Sequence, residues 1–135
     1  ALYAKAMGTD PETAFNRIFT GQKITRVTNG TIIVQRMSLD QSAAVKKAGR
    51  GNNPQMKLDH TIPLEIGGSN ETSNLKLVTT SIWSSYTKVE NSLGKALKAG
   101  KISKQEAQSL IAKFKGIQDS GSRKAFGQTI LQKYK

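Results

Sequence analysis

His60 is the only histidine in the chain, and Asp59 stands directly before it. Histidine is the side chain whose proton exchange falls nearest neutral pH, and a carboxylate beside it can accept a proton or attract a cation. A lone histidine is more often an ordinary surface or core residue than a reactive one. Here the neighbours carry weight. Lys57-Leu58-Asp59-His60-Thr61-Ile62-Pro63-Leu64-Glu65-Ile66-Gly67-Gly68-Ser69-Asn70 leads through Asn74-Leu75-Lys76-Leu77-Val78 into a long helical pattern. Two short strands are expected, at about 57–60 and 75–78, joined by a Gly-rich loop. The Asp-His pair then sits at a strand end.

The elements around it can be read from spacing. Ile82, Tyr86, Val89, Leu93 and Leu97 form one apolar helix face over residues 80–99, and Gly100 ends it. Glu90 falls beside that stripe, among Tyr86, Leu93 and Leu97. Burying an unpaired carboxylate is costly. A partner is therefore expected, either a metal or a cation such as Arg36 or Lys88; a plain structural ion pair is the simpler alternative. Asn91, next to it, has the polar neighbours Thr87, Lys88 and Lys95 and reads as solvated.

Ser103-Lys104-Gln105-Glu106 has capping-box spacing and opens a helix with Ala107, Leu110, Ile111 and Phe114 inward. A last helix is expected over residues 122–134. Upstream, Thr9-Asp10-Pro11-Glu12 starts a helix carrying Ala14, Phe15, Ile18 and Phe19, stopped by Gly21. Asn29-Gly30 between β-prone runs marks a hairpin. Ser38-Leu39-Asp40-Gln41 opens a short helix ending near Gly49, before a loop at Arg50-Gly51-Asn52-Asn53-Pro54. The order is helix, hairpin, helix, ββα, helix, helix: an α+β fold in a single domain over residues 1–135.

Asp-His-x-Ile-Pro-Leu-x-x-Gly-Gly-Ser-Asn-x-x-x-Asn-Leu, starting at Asp59, resembles the core of the HNH nucleases of the wider His-Me finger, or ββα-metal, group. The likeness covers about residues 57–99. Lys88-Val89-Glu90, a Gly-led turn at Gly100 and Glu106-Ala107-Gln108 are similar to a little-described bacterial branch and extend it to about residue 114. The resemblance implies a ββα-metal core flanked by an N-terminal helix and hairpin and by C-terminal helices at about 103–134. It implies a metal-dependent endonuclease that hydrolyses DNA phosphodiester bonds with low sequence specificity.

In that reading His60 is the general base for the attacking water. Asp59 binds a single divalent metal that neutralises the scissile phosphate. Asn74 orients the His60 ring or holds the loop, unless it is only a turn residue before the strand. Gly67 and Gly68 permit the tight turn. One departure stands out: the family's last histidine falls at Trp83, and no second histidine exists. Glu90 is the candidate replacement ligand and Asn91 the runner-up. With oxygen ligands at Asp59 and Glu90 the ion expected is Mg²⁺ or Mn²⁺ rather than Zn²⁺. The alternative is a catalytically inactive HNH-fold module that only binds nucleic acid.

Charge supports a polyanionic partner. Lys and Arg outnumber Asp and Glu by 21 to 9, a net charge of +12 on 135 residues. Double-stranded DNA is the expected partner, with Arg36, Lys57, Lys76 and Lys88 as phosphate contacts and Arg36 nearest the site. Trp83 and Tyr86 are assigned to core packing in preference to base stacking. The lack of cysteine excludes disulfides, thiolate zinc sites and a cysteine nucleophile. No apolar run approaches a membrane span. Residues 1–7 are too short and mixed for a whole signal peptide, and the start without Met suggests a fragment or a processed chain. A cytoplasmic location is expected, in a bacterial or phage-infected cell, with a secreted effector as the alternative. Oligomeric state has no signal in the sequence.

Overall fold

The computed structural model describes residues 23–50 and 55–135. The helix expected over residues 9–21 lies outside the described residues, as do residues 51–54 of the expected loop. Among the described residues the chain is α+β, with two antiparallel two-stranded sheets and four helices. Its elements are β1 (Ile24–Thr28), β2 (Thr31–Val34), α1 (Leu39–Arg50), β3 (Met56–His60), β4 (Leu75–Thr79), α2 (Thr80–Lys98), α3 (Lys104–Gly116) and α4 (Ser120–Lys133).

Asn29 and Gly30 join β1 to β2, both at positive φ (46° and 77°). That backbone matches the strand twist a two-residue hairpin needs. The Asn29 amide also donates to the carbonyls of Leu97 and Lys98. A helix C-terminus leaves such carbonyls without intrahelical partners, so the hairpin is pinned to the far end of α2 by its own turn. α1 opens on a reciprocal cap: Gln41 N–H donates to Ser38 Oγ, and Ser38 N–H to Gln41 Oε1.

β3 and β4 pair with Asp59 opposite Lys76 and His60 opposite Leu75. α2 follows β4 without a linker, because the Thr79 side chain accepts from Ile82 N–H and caps the helix at once. Its apolar stripe then meets α3 and α4. Tyr86, Val89, Leu93 and Leu97 pack with Ile102, Ala107, Ile111, Phe114 and Ile130 in one buried cluster. Leu93 and Ile111 are fully buried; each such side chain contributes about 1.5–3 kcal/mol of apolar burial. Tyr86 and Phe114 meet edge to face at 5.8 Å.

The loop between β3 and β4 is tied to this core. Ile66 is wholly buried in the cluster, and Gln108 of α3 donates to its carbonyl at 3.0 Å. Gly68 lies against the backbone of Ile62, where a Cβ would come within 1.7 Å of the carbonyl oxygen. A side chain at that position would force the loop open. The sheet, loop and α2 thus form a ββα unit whose strand end carries Asp59 and His60, with α3 closing it from the side.

Candidate functional site

The imidazole of His60 is held by a residue other than the one expected. Its Nε2 lies 2.7 Å from Asn70 Oδ1. Asn70 is 3% exposed, and its Nδ2 donates to the Gln35 carbonyl at 2.9 Å. That second bond fixes which end of the amide faces the ring. Nε2 is therefore the N–H donor, and Nδ1 is left as the basic nitrogen. Burial pushes the His60 pKa below its ordinary value; the positive charges of Arg36 and Lys115 add to this, while the Asn70 bond opposes it. The ring is neutral at neutral pH and able to take a proton.

Asn74, read from sequence as orienting the ring or holding the loop, does the second. Its Oδ1 accepts from Ile62 N–H at 2.8 Å, and its Nδ2 donates to the carbonyls of Ile62 and Ser69 at 2.9 and 2.8 Å. Replacing it by Ala leaves three half-buried backbone groups without this partner. We expect Asn74→Ala to cost about 2–3 kcal/mol of unfolding free energy. Urea unfolding checks this, and a change below about 0.5 kcal/mol would deny the clamp.

Asp59 and Glu90 converge, but on an ammonium. Lys115, from the last turn of α3, donates to both carboxylate oxygens of Asp59 (3.1 and 3.0 Å) and to Glu90 Oε2 (2.8 Å). It also donates to the main-chain carbonyl of His60 at 2.8 Å. The side chains of Lys115 and Asp59 are each 5% exposed, and that of Glu90 is 20% exposed. The Tyr86 ring lies 4.8 Å from the ammonium. Burial raises the pKa of Asp59, and Lys115 pulls it back. The same holds for Glu90, with the Asp59 charge adding to the rise. Glu90 therefore has the partner that burial demands, but the cation is Lys115 rather than Arg36 or Lys88.

Sequence reading placed a divalent ion between these two carboxylates. Among the described residues no group of three or more His, Cys, Asp or Glu side chains converges to hold a metal. The oxygens of Asp59 and Glu90 lie 2.8–3.1 Å from the nitrogen, whereas Mg²⁺ needs an octahedral shell of oxygens at about 2.0–2.1 Å, usually with several waters. As arranged, these residues fit an ammonium and do not fit a resident divalent ion.

A further carboxylate, Glu65, leans on α2 at Gly94, where a Cβ would come within 2.9 Å of the carboxyl carbon. Its pKa is raised by burial and by the Glu90 charge, against the pull of Arg36 and Arg26. Beside it is a cavity of about 150 Å³ lined by Arg26, Asn91, Lys95 and Lys98 among others. Asn91 is exposed and faces this basic hollow rather than the Lys115 cluster.

The other basic positions spread over the ββα unit. Arg36 is exposed, and its charge reaches both His60 and Glu65. Lys76 pairs across from Asp59 and lowers its pKa slightly against the burial effect. Lys57 stacks its ammonium 5.6 Å from the Trp83 ring. Trp83 is 38% exposed, so its assignment to the core fails while Tyr86 is indeed buried. Its place in the first turn of α2 turns it outward, off the stripe that runs through Tyr86, Val89 and Leu93. Lys88 is exposed and lines a groove between α2 and α4 with Arg123 and Lys124, away from the Lys115 cluster.

Sequence reasoning missed Asn70 and Lys115. Asn70 was inside the motif, but nothing in its spacing separates a ring-holding amide from a turn residue. Lys115 had a readable signal: it falls four residues after Ile111 and eight after Ala107, on the inward stripe of α3. No helix among the described residues is long and apolar enough to cross a membrane. Compared with protein-family models, with curated proteins and with solved structures, the chain matches none.

Proposed function

We propose that this protein is an endonuclease of the HNH type that hydrolyses phosphodiester bonds in DNA, with His60 as general base. The observation that carries the reading is the anchored ring. The Gln35–Asn70–His60 chain holds a neutral imidazole at the end of β3 with Nδ1 as its basic nitrogen. The sequence resemblance and the net charge of +12 support it.

The chemistry follows from that geometry. A water oxygen attacks phosphorus while His60 Nδ1 takes its proton, the bond from phosphorus to the 3′ oxygen breaks, and that oxygen takes a proton from solvent to leave as a 3′ hydroxyl. The imidazolium that forms is stabilised by its Nε2–H bond to Asn70 Oδ1. Arg36 is an exposed cation whose charge reaches His60, and it would offset the phosphate's charge. Lys57, Lys76 and the Arg26, Lys95 and Lys98 rim would hold backbone phosphates on either side. None of these recognises a base, so cleavage has little sequence preference.

Supercoiled plasmid tests the reading directly. Nicking by the wild type is expected in low salt. Binding should weaken steeply with salt, with a slope of about −0.9 for each phosphate neutralised. Reactions in Mg²⁺, in Mn²⁺ and in EDTA separate the contribution of added metal. Salt-sensitive binding without nicking under any of these conditions would favour the inactive binding module instead. Absence of binding at low salt would end both readings.

A further inference from the structure

The Lys115 ammonium sits where the HNH resemblance puts a metal. It arrives from α3, outside the ββα unit, and is met by both oxygens of Asp59, by Glu90 and by the His60 carbonyl. An ammonium has three donors, and here every direction leads to an oxygen. The contacts, at 2.8–3.1 Å, are of ordinary N–H···O length, so the cage is sized for nitrogen. The side chain is buried, with its ammonium over the Tyr86 ring between α2 and α3. An ion entering between Asp59 and Glu90 would have to expel a buried lysine from its own helix packing.

From this we propose that Lys115 is the built-in cation of the site. It keeps the Asp59–Glu90 pair closed to divalent metal, and its removal converts that pair into a divalent-cation site. Lys115 acts as a positioning residue. Through Asp59 and the His60 carbonyl it fixes the strand end that carries the base, and it supplies fixed positive charge behind the reacting centre. The part of the inference that concerns cleavage rests on the nuclease reading; the part that concerns metal does not. On this view the enzyme works without divalent ions.

Two measurements on the full chain test it: uptake of Mn²⁺, followed by loss of the free-ion electron paramagnetic resonance signal, and plasmid nicking in EDTA or in Mn²⁺. The proteins are wild type, Asp59→Asn, Lys115→Ala and Lys115→Ala/Glu90→Gln. Wild type should take up no more Mn²⁺ than Asp59→Asn and should nick in EDTA. Lys115→Ala should gain a Mn²⁺ site that the added Glu90→Gln removes. Its nicking in EDTA should fall about 100-fold or more, and Mn²⁺ should restore it, which a merely structural role for the lysine would not produce.

Uptake by wild type that Asp59→Asn abolishes would overturn the proposal. So would a folded Lys115→Ala that gains no site, or wild-type nicking that requires added metal. If Lys115→Ala does not fold, the comparison of wild type with Asp59→Asn still decides whether the pair is closed to metal. If no protein nicks DNA under any condition, the nuclease reading falls, and Mn²⁺ uptake alone still decides what Lys115 does.

Discussion

His60→Ala should lower the rate of plasmid nicking by about 10²–10⁴-fold, the usual share of a positioned general base, while leaving the fold in place. The ring is half-buried and makes one side-chain hydrogen bond, to Asn70, so its loss leaves Asn70 still anchored to Gln35. The pH profile adds a test that folding cannot mimic. Burial, helped by Arg36 and Lys115, lowers the His60 pKa, and the Asn70 bond only partly offsets them. A base with a lowered pKa stays unprotonated further into acid. The acid limb of the single-turnover rate should therefore lie below the ordinary histidine range, with a plateau through neutral pH. Removing the Arg36 charge should shift that limb upward, because a nearby cation no longer disfavours the imidazolium. Undiminished nicking by His60→Ala would deny the base, and a limb above the ordinary range would deny the buried, cation-flanked environment.

The parts of this fold that were legible in the sequence are those set by local chemistry. The Asn29-Gly30 hairpin, the Ser38 and Ser103 caps and the stripe of α2 each follow from a residue type at a fixed spacing, and the structure has all of them. β3, β4 and α2 lie within a residue or two of their expected bounds. Strand pairing brings Asp59 and His60 to one end of a ββα unit in the same way. The illegible parts depend on contacts between elements distant in sequence. The Asn70 amide is decided by the Gln35 carbonyl, which belongs to the chain just after β2. The partner of Glu90 is decided by how α3 packs on α2, which brings Lys115 across 25 residues of chain. The rule that a buried carboxylate needs a partner held. Choosing among the chain's 21 basic residues needed the packing, although the inward position of Lys115 on its own helix was a clue of the same kind as that for Glu90.

Lys115→Met should be the most destabilising single change at the site, at about 3–5 kcal/mol, the range for removing one partner of a buried ion pair. For a chain of this size that is a fall in Tm of roughly 10 °C or more. Methionine keeps much of the buried stem, so the loss comes chiefly from two carboxylates left facing each other without their cation. Charge and packing are separable by pH. Asp59 and Glu90 already have raised pKa values from burial, and Lys115 is what pulls them down. Without it both rise further, and the folded variant binds protons more readily than its unfolded chain. A group with a raised folded pKa loses stability as pH climbs through that value. The deficit of Lys115→Met should thus be largest at neutral and alkaline pH. It should shrink on acidification toward the ordinary carboxylate range, where both groups become neutral. Urea unfolding of wild type and variant at several pH values measures it. Adding Asp59→Asn and Glu90→Gln to Lys115→Met should recover part of the loss at neutral pH and flatten its pH dependence. A deficit that is the same at every pH would assign the lysine's contribution to its stem, and the caged ammonium would then be a consequence of packing rather than its cause.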